Sequence, residues 1–241
     1  MTRNHIVLSF REFCLANGSE EIKIKYSRYF KEGYDSYGLS SEMLKDKTGE
    51  IFSIVKGEFS VNDYMDLGDL LFQSGKYEEG SLAILLAKKK IKEFTPETID
   101  RIGGWLENGV TNWAHTDSIS GDLISPCLEK SVIGFEYLSQ WRKSEGRWKR
   151  RAVPVSLIIL AKRKPETIPQ LLNFTDCVME DGERVVHQGL GWFLREAWKK
   201  DPANVEEFLL KWKDTSARLI FQYATEKMTK EDKIRFRKEK K

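Results

Sequence analysis

Apolar positions along this chain recur every three or four residues, and no stretch of six or more alternates as a strand would. Residues 4–16 place Ile6, Val7, Phe10, Phe13 and Cys14 at helical spacing before Ala16-Asn17-Gly18 stops the run. A second helix is expected over 19–31, then an aromatic loop, Tyr34-Asp35-Ser36-Tyr37-Gly38. Ser40 or Ser41 caps the next helix, with Met43, Leu44, Ile51 and Ile54 inward. Ser60 opens another, with Tyr64, Leu67, Leu70, Leu71 and Phe72 as its stripe, and residues 76–94 continue as helix. Thr95-Pro96 is a cap followed by proline at the first helical position, ahead of Ile99, Ile102, Trp105 and Leu106. Further helices are expected from Trp113 onward, over 131–142, 148–162, 166–179, 183–198, 202–212 and 215–226. The chain reads as all-α, with short polar turns between amphipathic helices, as in an α-solenoid or a globular bundle. No clean repeat period is visible.

Length and composition narrow this little: 241 residues with 40 % hydrophobic content can bury a substantial core in one large or two small domains. The ten-residue apolar run Ala152–Ala161 is half a membrane span and fits a buried helix. Ile6–Phe10 is too short for a signal peptide, and Cys14, Cys127 and Cys177 are isolated in sequence, so a soluble cytoplasmic protein is expected. A net charge of +3 does not imply a polyanion partner, but its distribution says more. Between Gly146 and Pro165 stand Arg147, Lys149, Arg150, Arg151, Lys162, Arg163 and Lys164, with no acidic residue among them. Further basic runs are Lys88-Lys89-Lys90 with Lys92, and a tail over 229–241.

Three stretches carry candidate chemistry. Trp113 and Asp117 are four residues apart, which on a helix sets a π face and a carboxylate on one side. That pair suits a cationic substrate through Coulomb and cation–π attraction, or else it is a core Trp beside an Asp that bonds a neighbouring helix. Arg147-Trp148-Lys149-Arg150-Arg151 opens a helix, where backbone N–H groups already favour an anion; the alternative is a basic entry whose Trp148 packs inward. Gly189 and Gly191 lie inside a predicted helix around Trp192, each costing about 1 kcal/mol relative to alanine, which makes sense where another helix or a ligand approaches closely. Arg184, Arg195 and Glu196 are read as internal ion-pair partners. His5, His115 and His187 are not spaced as ligands, and no nucleophile triad, Walker loop or dinucleotide fingerprint is present, so no metal or nucleotide cofactor is expected.

Together these stretches resemble the DNA alkylation repair family, the AlkD-like DNA glycosylases. The resemblance rests on Trp-x-x-x-Asp-Ser at 113–118, Trp-x-x-Arg-Ala at 148–152 and Gly-Trp-x-Leu-Arg-Glu at 191–196, in that order. Upstream, Arg28-Tyr29-Phe30-Lys31 and Tyr37-Gly38-Leu39 are similar to the family's N-terminal helices and loop. It covers roughly residues 5–215.

The resemblance implies one domain of HEAT-like helical repeats over 1–228, a solenoid whose basic concave face cradles duplex DNA, followed by the basic tail. It implies excision of positively charged N3- and N7-alkylated purines by a monomer. Carried over by position, Asp117 is the catalytic carboxylate, and Trp113 and Trp192 touch the lesion's sugar and backbone. Arg151 contacts phosphate beside the site, Tyr29 lies near the DNA, and Arg150, Lys149, Arg147 and Trp148 complete the DNA-binding set. Two positions depart from the pattern: Asn112 stands where some relatives carry a second Trp, and Ala114 replaces a commonly acidic residue. Some paralogues bind DNA without excising bases, so a non-catalytic DNA-binding module is the second reading and a protein-interaction scaffold the third.

Overall fold

The structure, a computed structural model, describes residues 2–239. Among them are fourteen α-helices and no strand, so the fold is all-α. The helices form two compact units, Met1–Leu123 and Ile124–Lys241.

In the first unit the helices are α1 (Arg3–Asn17), α2 (Glu20–Ser27), α3 (Ser41–Val55), α4 (Val61–Phe72), α5 (Tyr77–Lys89), α6 (Pro96–Asn108) and α7 (Trp113–Ile119). Their starts follow the capping chemistry of the sequence. Ser40 caps α3, and Ser60 caps α4 in a reciprocal box with Asp63. α4 packs against α1, α5 and α6, and α5 against α3 and α7, each helix covering its neighbours as in a helical-repeat fold. Gly68 lets α4 and α6 close up, since a Cβ there would lie 2.2 Å from Cζ2 of Trp105. Three expectations shift. The helix expected over 76–94 ends at Lys89, and Ile91–Glu93 form a 3₁₀ turn. The helix expected over 19–31 ends at Ser27, and Ile54 is exposed while Val55 takes the core position.

The loop from Arg28 to Ser40 is held down by two buried carboxylates on the first turn of α5. Glu78, 2 % exposed, accepts backbone N–H groups from Tyr37 (2.9 Å), Gly38 (2.8 Å) and Leu39 (3.1 Å). Glu79, fully buried, accepts from Arg11 Nε and Nη2 at 3.0 and 2.9 Å and from the Tyr37 hydroxyl at 2.7 Å. Their place at a helix N-terminus adds the favourable end of the backbone dipole. The loop reaches them through Gly38, whose φ of +86° is the left-handed region and whose Cβ would lie 2.2 Å from the Ser19 carbonyl oxygen.

The second unit contains α8 (Ser125–Glu129), α9 (Arg147–Arg163), α10 (Ile168–Thr175), α11 (Arg184–Trp198), α12 (Pro202–Trp212), α13 (Arg218–Ala224) and α14 (Lys230–Ile234). α11 is its centre, packed on α9, α12 and α13. The helix expected over 131–142 is instead a tighter 3₁₀ stretch, Phe135–Lys143, because Ser131 turns into the left-handed region at φ 57°. The expected 166–179 helix is broken into α10 between two 3₁₀ turns. The tail is not simply an appended basic strand of charge. Its first part forms α14, Phe236 is buried, and Arg218 Nη1 donates to the Phe236 carbonyl at 2.8 Å; Lys240 and Lys241 lie outside the described residues. Among the described residues no helix is long and apolar enough to cross a membrane.

The Glu78 clamp yields a stability prediction. Glu78→Gln keeps the size but turns an amide N–H₂ toward a loop N–H, so urea unfolding should lose about 2–4 kcal/mol, the cost of unsatisfied buried donors. A loss below about 0.5 kcal/mol, within the range of a neutral surface change, contradicts the clamp.

Candidate functional site

α7 begins at Asn112, whose Oδ1 accepts the backbone N–H of His115 at 2.9 Å. The same side chain turns its Nδ2 to His115 Nδ1 at 3.1 Å. His115 Nε2 faces the Tyr77 carbonyl and the Ser81 hydroxyl, each at 3.0 Å. A carbonyl only accepts, so these partners assign the proton to Nε2 and leave Nδ1 to accept from Asn112. The imidazole also stacks on Tyr77, with centroids 4.6 Å apart. Burial pushes its pKa down to about 4, despite the opposing pull of the Tyr77 carbonyl. His115 is thus a neutral strut fixing α7 to α5.

That strut presents Trp113. Its indole Nε1 donates to the Tyr29 carbonyl at 3.1 Å, and its ring stacks on Phe30 with centroids 5.6 Å apart. It remains 37 % exposed. Tyr29 beside it is 53 % exposed, with the Arg28 guanidinium over its ring and Arg28 Nη2 bonded to its hydroxyl at 2.9 Å. Asp117, half-buried, follows Trp113 by one helical turn on the same face. The structure therefore brings Trp113 and Tyr29 together and sets Asp117 one turn away.

In the second unit, the residues at the start of α9 divide by role. Trp148 is 5 % exposed and packs inward, the alternative open in the sequence, so it offers no free face to DNA. Arg150 is similarly occupied: Nε bonds Asp181 at 2.6 Å and Nη1 bonds the carbonyls of Ser144 (2.7 Å) and Glu145 (2.9 Å). Arg151 is buried, with Nη1 donating to the Val185 carbonyl at 2.6 Å. Arg147 is exposed, with its guanidinium over Trp148 and Glu183 at 3.8 Å, and half-buried Lys149 lies over the Trp141 ring. The acid-free basic segment borrows carboxylates from elsewhere in its unit. Lys162 pairs with Glu196 at 3.0 Å and Arg163 with Glu129 at 2.5 Å.

Trp192 stands half-buried on α11. The two glycines flanking it serve helix approach: a Cβ on Gly189 would lie 3.1 Å from Arg151 Cγ, and one on Gly191 would lie 2.5 Å from Tyr223 Cβ. Arg195 does form ion pairs, with Glu196 at 3.3 Å and with Glu226, whereas Arg184 is exposed. Burial works against the Glu196 charge, but bonds from Lys199 and Lys162 outweigh it and hold the carboxyl pKa at about 2.

Sequence reasoning missed Glu78, Glu79 and the Asn112–His115 lock. One signal was available for the glutamates. Glu79 is in phase with Ala83, Leu86 and Ala87, and Glu78 with Leu82, so both continue the buried stripe of α5.

The chain belongs to the DNA alkylation repair enzyme family, whose profile matches residues 14–228. Its fold is that of a predicted DNA alkylation repair enzyme from Enterococcus faecalis, at a TM-score of 0.74 and 15 % identity over 89 % of this chain and 98 % of the other. No curated protein matches the sequence.

The His115 lock has a pH signature. Its folded pKa lies below the ordinary 6.5, so the unfolded chain binds the proton more tightly, and the stability it contributes is complete above about 6.5 and lost as pH falls toward about 4. NMR titration should show the His115 ring neutral until near pH 4. A midpoint near 6.5 rules out the buried neutral strut.

Proposed function

We propose that the chain is a monofunctional DNA glycosylase. Acting as a monomer without metal or nucleotide cofactor, it hydrolyses the N-glycosidic bond of cationic N3- or N7-alkylated purines in duplex DNA and leaves an abasic site. Family membership over residues 14–228 supports a role in alkylation repair and DNA as the partner. The observation that carries the finer reading is the α7 pair: a braced, partly exposed Trp113 and the half-buried Asp117 on the same helix face.

An N-alkylated purine already carries positive charge, so it leaves without a strong general acid. As the C1′–N bond breaks, its electron pair moves onto the purine, neutralising it, and the sugar becomes an oxocarbenium ion. Asp117 opposes that developing charge and orients a water whose oxygen bonds C1′; the surplus proton passes to the carboxylate or to solvent. Trp113 lies against the sugar, adding cation–π attraction, and Trp192 is the second unit's own aromatic contact to the DNA backbone.

The DNA contacts of this proposal are weighted by geometry. Tyr29, Arg147 and Lys149 are the side chains with accessible surface for the backbone. Arg151, buried and tied to Val185, enters as a fixed positive charge rather than a mobile clamp. Arg150 and Trp148 hold the start of α9 in place.

Duplex DNA carrying N7-methylguanine should release free base with the native protein, and Asp117→Asn should slow release by about ten-fold or more, each decade being about 1.4 kcal/mol of barrier. Unchanged release in the variant removes Asp117 from the mechanism. DNA binding with no release by the native protein favours the non-catalytic module, and absence of salt-dependent DNA affinity favours the scaffold.

A further inference from the structure

α11 is enclosed by the second unit except along one edge. Ten of its fifteen residues are buried; Arg184, Gln188, Trp192, Arg195 and Trp198 are not. Steps of four, four, three and three residues set these five on a single stripe. No carboxylate stands among them, and every one of the five side chains carries an N–H donor. Gly191 admits α13 closely enough that Tyr223, half-buried, lies against the same helix, and its hydroxyl accepts from Gln188 Nε2 at 2.8 Å.

Two of the five are spent within the unit. Arg195 holds Glu226 and Glu196, and Trp198 Nε1 donates to Glu206 at 3.0 Å. The others keep donors to give. Trp105, Trp113, Trp198 and Trp212 each pass their indole N–H to an acceptor, whereas among the described residues nothing accepts from Trp192. Arg184, expected from the sequence to form an internal ion pair, is exposed, and among the described residues no carboxylate meets it; the adjacent Glu183 turns to Arg147 at 3.8 Å. Tyr223, having accepted from Gln188, retains its own O–H. Unspent donors along one helical edge suit an extended acceptor outside the chain. From Arg184 to Trp192 the edge runs about 12 Å at about 1.5 Å per residue. A DNA strand carries one phosphate per about 3.4 Å of its axis, so the edge is long enough for about three. Guanidinium, amide and phenol are also the groups that hold phosphate oxygens without reading sequence. Family membership favours DNA over an acidic polypeptide as the acceptor.

We infer that the open edge of α11 is a backbone-positioning surface for one DNA strand, with Arg184, Tyr223 and Trp192 donating to phosphates along it and Gln188 holding the Tyr223 hydroxyl in place. The inference rests on DNA as the partner, one part of the glycosylase reading, and does not depend on base excision. A row of donors on a tightly packed helix sets the register of the strand on the second unit without selecting its sequence.

Fluorescence anisotropy of a labelled, undamaged duplex titrated with the full chain at several salt concentrations tests this. Arg184→Gln should weaken binding by about five-fold or more and flatten the slope of log affinity against log salt by about one, because one charged phosphate contact is lost. Tyr223→Phe keeps the ring and loses the O–H, so it should weaken binding by about three-fold with the slope unchanged. Both variants should keep the native helical circular dichroism. Lys230→Gln, which removes an exposed cation on α14, should stay within about two-fold. An equal loss in Arg184→Gln and Lys230→Gln means that only net charge is sensed and overturns the assignment, as does DNA affinity indifferent to both edge variants. A polyglutamate peptide that binds the native protein but not Arg184→Gln, with DNA affinity unchanged, gives the edge to an acidic polypeptide instead. Base release measured alongside separates the two readings. Asp117-dependent release with DNA binding indifferent to the edge removes the edge and keeps the glycosylase; edge-dependent binding without release does the reverse. No DNA affinity in the native protein removes both.

Discussion

The first turn of α5 is the constraint on which the candidate site depends. Glu78 and Glu79 are carboxylates taken out of water, which is costly unless every lone pair is met, and here backbone N–H groups, a tyrosine hydroxyl and an arginine fork meet them. Tyr77, one residue earlier, gives its carbonyl to His115 and its ring face to the imidazole. One helical turn therefore fixes both the aromatic loop and the start of α7. Trp113, hung between the two by its bond to Tyr29 and its stack on Phe30, inherits that rigidity. If the site meets a developing charge as proposed, walls already in place leave little reorganisation for the moment of reaction.

The second unit shows a different balance, between charge offered and charge neutralised. The basic segment from Arg147 to Lys164 promises a polyanion surface when read as a string, yet Asp181, Glu196 and Glu129 take Arg150, Lys162 and Arg163. These pairs pin α9 to its surroundings and reduce the charge presented outward. Gly189 and Gly191 do related work on α11 by admitting α9 and α13 at close range, so that Trp192 is carried on a tightly held helix.

Helix periodicity and caps made most of the fold legible. Ser60, Thr95-Pro96, Asn108-Gly109 and Pro202 mark real boundaries because capping is a local interaction that a few adjacent residues decide. The stretch 131–142 failed because one left-handed residue, Ser131, resets the backbone without leaving a periodic trace. Trp113 and Asp117 were legible as a spacing, and the family pattern made the spacing meaningful. The support beneath them was not legible. The bonds of Glu78 to residues 37–39 and of His115 to Tyr77 join positions about forty residues apart, and the adjacency of those positions is a property of the packed unit.

Hydrolysis at C1′ with no cut in the strand is read out by incubating the protein with duplex DNA containing a single N7-methylguanine and weighing the products. Free 7-methylguanine and an intact abasic strand are expected. A strand cleaved at the lesion, or DNA that is bound and recovered with its methylated base in place, overturns the glycosylase reading.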